Sequence, residues 1–132
     1  MTQTHYQFST RVQLSYEEAI QRVTAELKKE GFGVLTEIDM KATFKKKLDI
    51  DYPPYIILGA CNPPSAYKAL NTEIEIGLLL PCNVIVYEGN GETVVSAVDP
   101  VVMLGVVHNP ELDAVASDIQ ARLQRVIKAT AA

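Results

Sequence analysis

The stretch Pro-Cys-Asn-Val-Ile-Val-Tyr-Glu-Gly-Asn-Gly-Glu-Thr-Val-Val-Ser-Ala-Val, residues 81–98, decides the fold. Two β-rich runs flank Asn90-Gly91, a dipeptide that is typical of a type I′ turn. The stretch therefore predicts a β-hairpin. One face of the hairpin carries Val84, Val86, Val95 and Ala97, and the other carries Ile85, Tyr87, Val94 and Val98. Because both faces are apolar, we expect both to be covered.

Further elements are predicted on either side of this hairpin. Strands are expected at about 6–12, 33–37 and 55–61, where β-forming residues recur. The first helix begins with a capping box from Ser15 to Glu18 and ends at Gly31. Asp39 and Asn62 each precede a short helix as N-caps. A final helix begins at Asn109-Pro110, and its core stripe consists of Leu112, Val115, Ile119, Leu123 and Val126.

The order of these elements predicts the fold class. A strand and a helix are followed by four strands, with two short helical insertions, and then by the last helix. Strands that succeed one another in this way favour an antiparallel sheet of about five strands, with the helices on one side. We therefore expect a single α+β domain over residues 1–132.

Composition limits the classes of partner and the compartment. The chain has 132 residues, of which 48% are hydrophobic, so a packed core is expected. The net charge of -4 argues against nucleic acid as the main partner and weakly against anionic membranes. Two cysteines do not make a secreted disulfide framework. No signal peptide or membrane span is recognised, and the cytosol is the expected compartment.

Three segments of the chain resemble segments of a known protein family. They are Gly-Phe-Gly-Val-Leu-Thr-Glu-Ile-Asp-Met-Lys at 31–41, Ile-Leu-Gly-Ala-Cys-Asn-Pro at 57–63 and Glu-Ile-Gly-Leu-Leu-Leu-Pro-Cys-Asn-Val at 75–84. The chain resembles the bacterial and archaeal family called Domain of Unknown Function 302. The resemblance implies a curved TBP-like sheet with the order β-α-β4-α, and it implies homodimers. The family has no settled activity, so the resemblance supplies no catalytic residue and no cofactor.

Two thiol–amide pairs are the main candidates for a site. Cys61-Asn62 follows one predicted strand, and Cys82-Asn83 begins another. They are interpreted either as a redox or metal half-site or as the polar end of a ligand pocket. The alternative is that the cysteines pack as small apolar residues and that Asn62 only caps a helix. If the two strands are antiparallel neighbours, as the resemblance implies, all four residues converge on one rim of the sheet.

Acidic and basic residues extend this candidate rim. Glu37, Asp39 and Lys41 alternate near the end of the second strand. They are either an acid–base or ligand-anchoring cluster or a cap at Asp39 beside a surface ion pair. Glu37 and Lys41 are expected near the rim, and Glu75 is added because it lies in a family-like segment. The sequence contains no hydrolase elbow and no phosphate-binding loop, and it shows no metal-ligand spacing around its two histidines.

Two hypotheses about function follow from these patterns. The first is a non-enzymatic homodimer that binds a small apolar ligand or a protein partner, since strands that are apolar on both faces need a second cover. The second is a thiol-dependent enzyme or redox sensor that uses Cys61 or Cys82, which requires an accessible thiol of low pKa. Neither hypothesis assigns a metal site or identifies a cofactor.

Overall fold

The computed structural model describes residues 1–132, which form six strands and five α-helices. The strands are β1 (Thr2–Gln3), β2 (Gln7–Val12), β3 (Gly33–Asp39), β4 (Tyr55–Cys61), β5 (Cys82–Gly89) and β6 (Glu92–Val98). The helices are α1 (Tyr16–Lys29), α2 (Met40–Leu48), α3 (Pro63–Thr72), α4 (Pro100–Gly105) and α5 (Asp113–Ala131). Short 3₁₀ turns occupy Ile74–Leu79 and Pro110–Leu112.

All six strands belong to one open sheet in the order β1-β2-β6-β5-β4-β3, and every neighbouring pair is antiparallel. The α+β class with an antiparallel sheet is therefore confirmed, while the TBP-like label stays a prediction. The sheet has six strands instead of about five because Thr2 and Gln3 pair with β2. Helix α4 was not predicted either, although Asp99 caps it and Pro100 begins it.

One face of the sheet, called the inner face, packs against α1 and α5. The hairpin residues predicted to share a face lie here and are fully buried, and the register pairs Val84 with Ala97 and Val86 with Val95. The predicted stripe of the last helix is also confirmed, except that Val115 is only half-buried. Helix α5 buries further residues that the stripe did not include, namely Ala116, Ile127 and Thr130.

The opposite face of the sheet, called the outer face, is not covered by α1 or α5, and of the other helices α2 contacts β3 and β4. Neighbouring residues along a strand point to opposite faces, so the side chains that alternate with the core lie here. The large apolar residues of β4, β5 and β6 on this face are only half-buried: Tyr55, Ile57, Ile85, Tyr87, Val94 and Val98. The two-sided apolar pattern is thus real, but α1 and α5 seal one side only.

The hairpin turn has the predicted geometry. Asn90 and Gly91 have φ angles of 54° and 76°, and a type I′ turn requires positive φ at both central residues.

Gly91→Val is expected to lower the free energy of unfolding by about 1 kcal/mol or more, because a β-branched residue resists positive φ. A Cβ atom at Gly91 meets no atom within 4 Å, so a clash of the Cβ does not add to the backbone strain. Urea denaturation measures it. Gly89→Val is the matched control, since Gly89 lies in the same hairpin without a positive φ. Equal losses in the two variants would contradict the turn assignment.

Candidate functional site

The two cysteines lie at the same end of the sheet, as predicted. Strands β4 and β5 are antiparallel neighbours, and Ala60 is directly opposite Cys82. Cys61 and Cys82 both line one small cavity, which also touches Ala69 of α3 and Ile119 of α5. We call this space the cysteine cavity. Ten of its thirteen lining residues are hydrophobic, so its walls are apolar.

The cysteine cavity is small in this structure. Its volume is about 30 Å³, which is roughly the share of liquid volume that one water molecule takes. Pockets that hold organic ligands measure roughly 300–1,000 Å³. The cavity is therefore a small packing gap between the end of the sheet and the helices. It has no room for a small apolar ligand in this conformation.

Both thiols are held in the protonated form. Cys82 is only 7% exposed, and burial raises the pKa of its thiol to about 11, with a smaller contribution from Cys61. Burial also raises the pKa of Cys61, which is half-buried. A catalytic or redox-sensing thiol needs a lowered pKa and access to solvent. The surroundings of these two cysteines raise the thiol pKa instead of lowering it.

Labelling with a thiol reagent should show this protection. We expect Cys82 in the native protein to react far more slowly at pH 7 than the same thiol in urea, where its pKa returns to roughly 8.5. Its rate should rise as the pH approaches 11, because the reactive thiolate forms only there. Cys61→Ser isolates the Cys82 signal. Rapid labelling of native Cys82 at pH 7 would contradict the assignment.

Asn62 has a structural role that uses both ends of its amide. Its Oδ1 accepts the Ser65 backbone N–H at 3.2 Å and so caps α3. Its Nδ2 donates to the Glu30 carbonyl at 3.3 Å, and Arg122 donates to the same carbonyl at 3.0 Å. Asn62 thereby ties the end of α1 to the start of α3. The capping interpretation is confirmed for this residue.

Asn83 and Glu75 do not line the cysteine cavity. Asn83 follows Cys82 directly and therefore points to the outer face, where it lines a shallow depression with Tyr6 and Ile85. Glu75 is exposed in the 3₁₀ turn after α3. Of the four residues predicted to converge on the rim, three line the cavity and Asn83 faces away from it.

The expectation that Glu37 and Lys41 lie near the rim is wrong. Strand β3 runs antiparallel to β4, so Gly33 is opposite Cys61 and Asp39 is opposite Ile56. Lys41 follows Asp39 in α2 and therefore lies at the far end of these strands from the cysteines. Glu37, opposite Leu58, lies in mid-strand.

The neighbouring prediction for Asp39 is confirmed. The Ala42 backbone N–H donates to Asp39 Oδ1 at 2.9 Å, so this side chain caps α2. Asp39 thus has a local structural role at the end of β3.

The outer face carries a group of tyrosines that sequence reasoning missed. The rings of Tyr55 and Tyr87 stack with centroids 5.5 Å apart and an interplanar angle of 18°. Burial raises the pKa of Tyr55, and the nearby Tyr52, Tyr87 and Tyr6 raise it further. Tyr6 and Tyr52 are exposed. Tyr52 packs edge-on against Phe44 of α2. Three of the six tyrosines in the chain, Tyr6, Tyr55 and Tyr87, therefore lie on the face that α1 and α5 leave open.

The chain has no group of three or more His, Cys, Asp or Glu side chains arranged to hold a metal ion. None of its helices combines the length and the apolar composition that crossing a membrane requires.

The chain is similar to proteins that are already known. The family model "Domain of unknown function DUF302" matches residues 8–130. The crystal structure of an uncharacterized conserved protein DUF302 from Bacillus stearothermophilus superimposes with a TM-score of 0.89. That protein is 32% identical in sequence, and the match covers 96% of this chain and 98% of that chain. A search of curated proteins finds no match. On the extent of these matches, the chain belongs to the DUF302 family.

Proposed function

We propose that this chain is a non-catalytic binding domain that works as a homodimer, and that a second copy covers the outer face of the sheet. One observation carries the proposal: the inner face is sealed by α1 and α5, whereas the large apolar side chains of β4, β5 and β6 on the outer face are only half-buried. Leaving a broad apolar face in water is unfavourable, and such faces mark sites of association.

The residues on the outer face suit a protein partner. Tyrosine is enriched in protein interfaces because it offers a large, rigid ring with one polar group. The stacked pair Tyr55–Tyr87 has Ile57 and Ile85 beside it on the same face. The exposed Tyr6, which lines a depression with Tyr55 and Ile85, extends this apolar area toward solvent. This composition resembles the core of a homodimer interface more than a polar protein surface.

The size of the face also suits a stable dimer. Five long strands at a spacing of about 4.8 Å, each about seven residues long, give a projected area of roughly 600 Å², of which β4, β5 and β6 supply about three-fifths. The outer face of β2 carries Gln7, Ser9 and Arg11 and so contributes a polar rim. A standard interface buries about 800 Å² of accessible surface on each partner, and the accessible surface of a side-chain layer exceeds its projection. Homodimers are also what the resemblance to this family implies.

Two other functions receive less support. The cysteine cavity is too small for a ligand in this conformation, so the proposed partner is a protein. The raised pKa of both thiols argues against a thiol-dependent enzyme or redox sensor. The net charge of -4 argues against nucleic acid. A cytosolic location fits the two free cysteines.

Ile85→Lys tests the proposal. A lysine in the middle of the covered face would place a charge against apolar side chains, which disfavours association. We expect the dissociation constant of the dimer to rise at least about 100-fold, the equivalent of about 2.8 kcal/mol. Sedimentation equilibrium measures the constant, and circular dichroism checks that the variant folds.

Ile74→Lys is the matched control, since Ile74 is 78% exposed and lies in the 3₁₀ turn after α3. It should leave the dimer intact. If Ile74→Lys dissociates the dimer and Ile85→Lys does not, the second copy binds at the 3₁₀ turn and the outer-face proposal fails.

A further inference from the structure

Strand β3 leaves one edge of the sheet open. It pairs with β4 on one side and has no strand on the other. Alternate backbone N–H and C=O groups on the free side of such a strand lack partners within the sheet. Leu35 is 67% exposed, so the strand also offers an apolar side chain. An edge of this kind accepts extended peptides that add as a further strand.

A groove runs beside this edge, between β3 and the overlying helix α1. Ile20, Thr24 and Lys28 of α1 form one wall, and Val34 and Glu37 of β3 form the other. The groove has a volume of about 690 Å³, within the range of roughly 300–1,000 Å³ that ligand sites occupy. Because side chains alternate along a strand, every second residue of an added peptide would point toward the groove.

The two charged residues of the groove, Lys28 and Glu37, favour one orientation of a bound peptide. Lys28 lies in the last turn of α1, close in sequence to Gly33 at the start of β3, while Glu37 lies four residues farther along the strand. Neither residue forms an ion pair within the chain. A peptide that runs antiparallel to β3 brings its carboxyl end toward Lys28 and its amino end toward Glu37. A parallel peptide would meet like charges at both ends.

We propose that the β3 edge and its groove bind an extended peptide antiparallel to β3, with apolar side chains in the groove, a basic amino end at Glu37 and an acidic carboxyl end at Lys28. This site is separate from the outer face, so the inference goes beyond the proposed dimer. The register of β3 shifts between Val34 and Thr36, so an added peptide would form its ladder on either side of Leu35 and not through it. Long pairing with the edge of a second copy would meet the same interruption, and the Leu35→Lys variant below tests for it.

Two synthetic heptapeptides test the direction. The first probe is Arg-Thr-Val-Thr-Val-Thr-Asp, and the second is the same sequence reversed; both are acetylated and amidated so that only side-chain charges differ. Chemical shifts of the isotope-labelled protein are followed by NMR. We expect the first probe to shift the amides of β3 with a dissociation constant of about 1 mM or below. The reversed probe should bind about 10-fold more weakly, since both surface charge contacts change sign.

Exchanging the two charges gives a sharper test. In the double variant Lys28→Glu, Glu37→Lys, the preference should invert and the reversed probe should bind about 10-fold more tightly. Lys46→Glu in α2 is the control, and it should leave the preference of the wild-type protein unchanged because it lies outside the groove. Absence of β3 shifts with either probe at about 1 mM would overturn the proposal, and so would equal affinity for the two probes.

A separate measurement excludes occupancy by a second copy. In the protein without peptide, Leu35→Lys should leave the dimer mass unchanged. If this variant alone turns the dimer into a monomer, the β3 edge is the contact between copies and the peptide site is refuted. That result is distinguishable from failure of the outer-face proposal, which the Ile85→Lys variant reports.

Discussion

Leu123→Ala is expected to lower the free energy of unfolding by about 2–5 kcal/mol. Leu123 lies in α5, is completely buried, and belongs to one apolar cluster with Phe8 of β2 and Leu27 of α1. Truncation removes three buried carbon atoms, Cγ and the two Cδ methyls, and leaves a cavity that the surrounding layers can fill only in part. Urea denaturation measures the loss.

Leu78→Ala provides the matched control for this truncation. Leu78 is 83% exposed, so the same chemical change at this position should alter the free energy of unfolding by less than about 0.5 kcal/mol. If Leu123→Ala also costs less than about 0.5 kcal/mol, α5 does not use this residue to cover the inner face, and the two-layer description of the fold is wrong.

Gly59→Ala should be the second large effect, with a loss of about 1–3 kcal/mol or more from overpacking. Gly59 lies in β4 between its partners Thr36 and Asn83. An added Cβ atom would collide with Thr36 Oγ1 and lie 2.8 Å from Pro81 Cγ. The exposed Thr36 can move its hydroxyl only by changing its χ1 rotamer, and Pro81 has a rigid ring, so the contact with Pro81 remains.

Two variants control for the substitution itself. Gly33→Ala places a Cβ atom where no atom lies within 4 Å, and it should be close to neutral. Thr36→Ala combined with Gly59→Ala should recover part of the loss, since the colliding hydroxyl is gone. A melting temperature of Gly59→Ala equal to that of the wild type would show that β3 and β4 do not approach as described.

Local features of the fold were predictable because each depends on a few adjacent residues. The capping box at Ser15 and the caps at Asp39 and Asn62 are present, and so is the Asn90-Gly91 turn. The start of the last helix was predicted slightly early, because Asn109 caps a 3₁₀ turn and α5 begins at Asp113. A two-residue strand such as β1 leaves almost no periodic pattern, so it escaped prediction.

The position of site residues was predictable only where one strand pairing decided it. The antiparallel β4–β5 pair brings Cys61 and Cys82 to one end of the sheet. The position of Lys41 depends on the antiparallel pairing of β3 with β4. The polar residues next to Lys41 in the sequence do not indicate that pairing. Cys82 and Asn83 are neighbours in one strand, so the sequence could have predicted that their side chains point to opposite faces of the sheet.

The tyrosine group on the outer face depends on the order of strands across the sheet. Tyr6 precedes β2, which pairs with β6, whereas Tyr55 belongs to β4. Residues so far apart in the chain meet only because β6 and β5 lie side by side between these two strands. No local pattern encodes that arrangement, and the only signal in the sequence was the apolar character of both hairpin faces.

Light scattering during size-exclusion chromatography tests the central claim most directly, since it reports the mass of the particle in solution. If a second copy covers the outer face, the wild-type chain at micromolar concentration should have twice the mass of one 14.5 kDa chain. A mass equal to that of a single chain at the same concentration would contradict the account, because the outer face would then be stable in water without a cover.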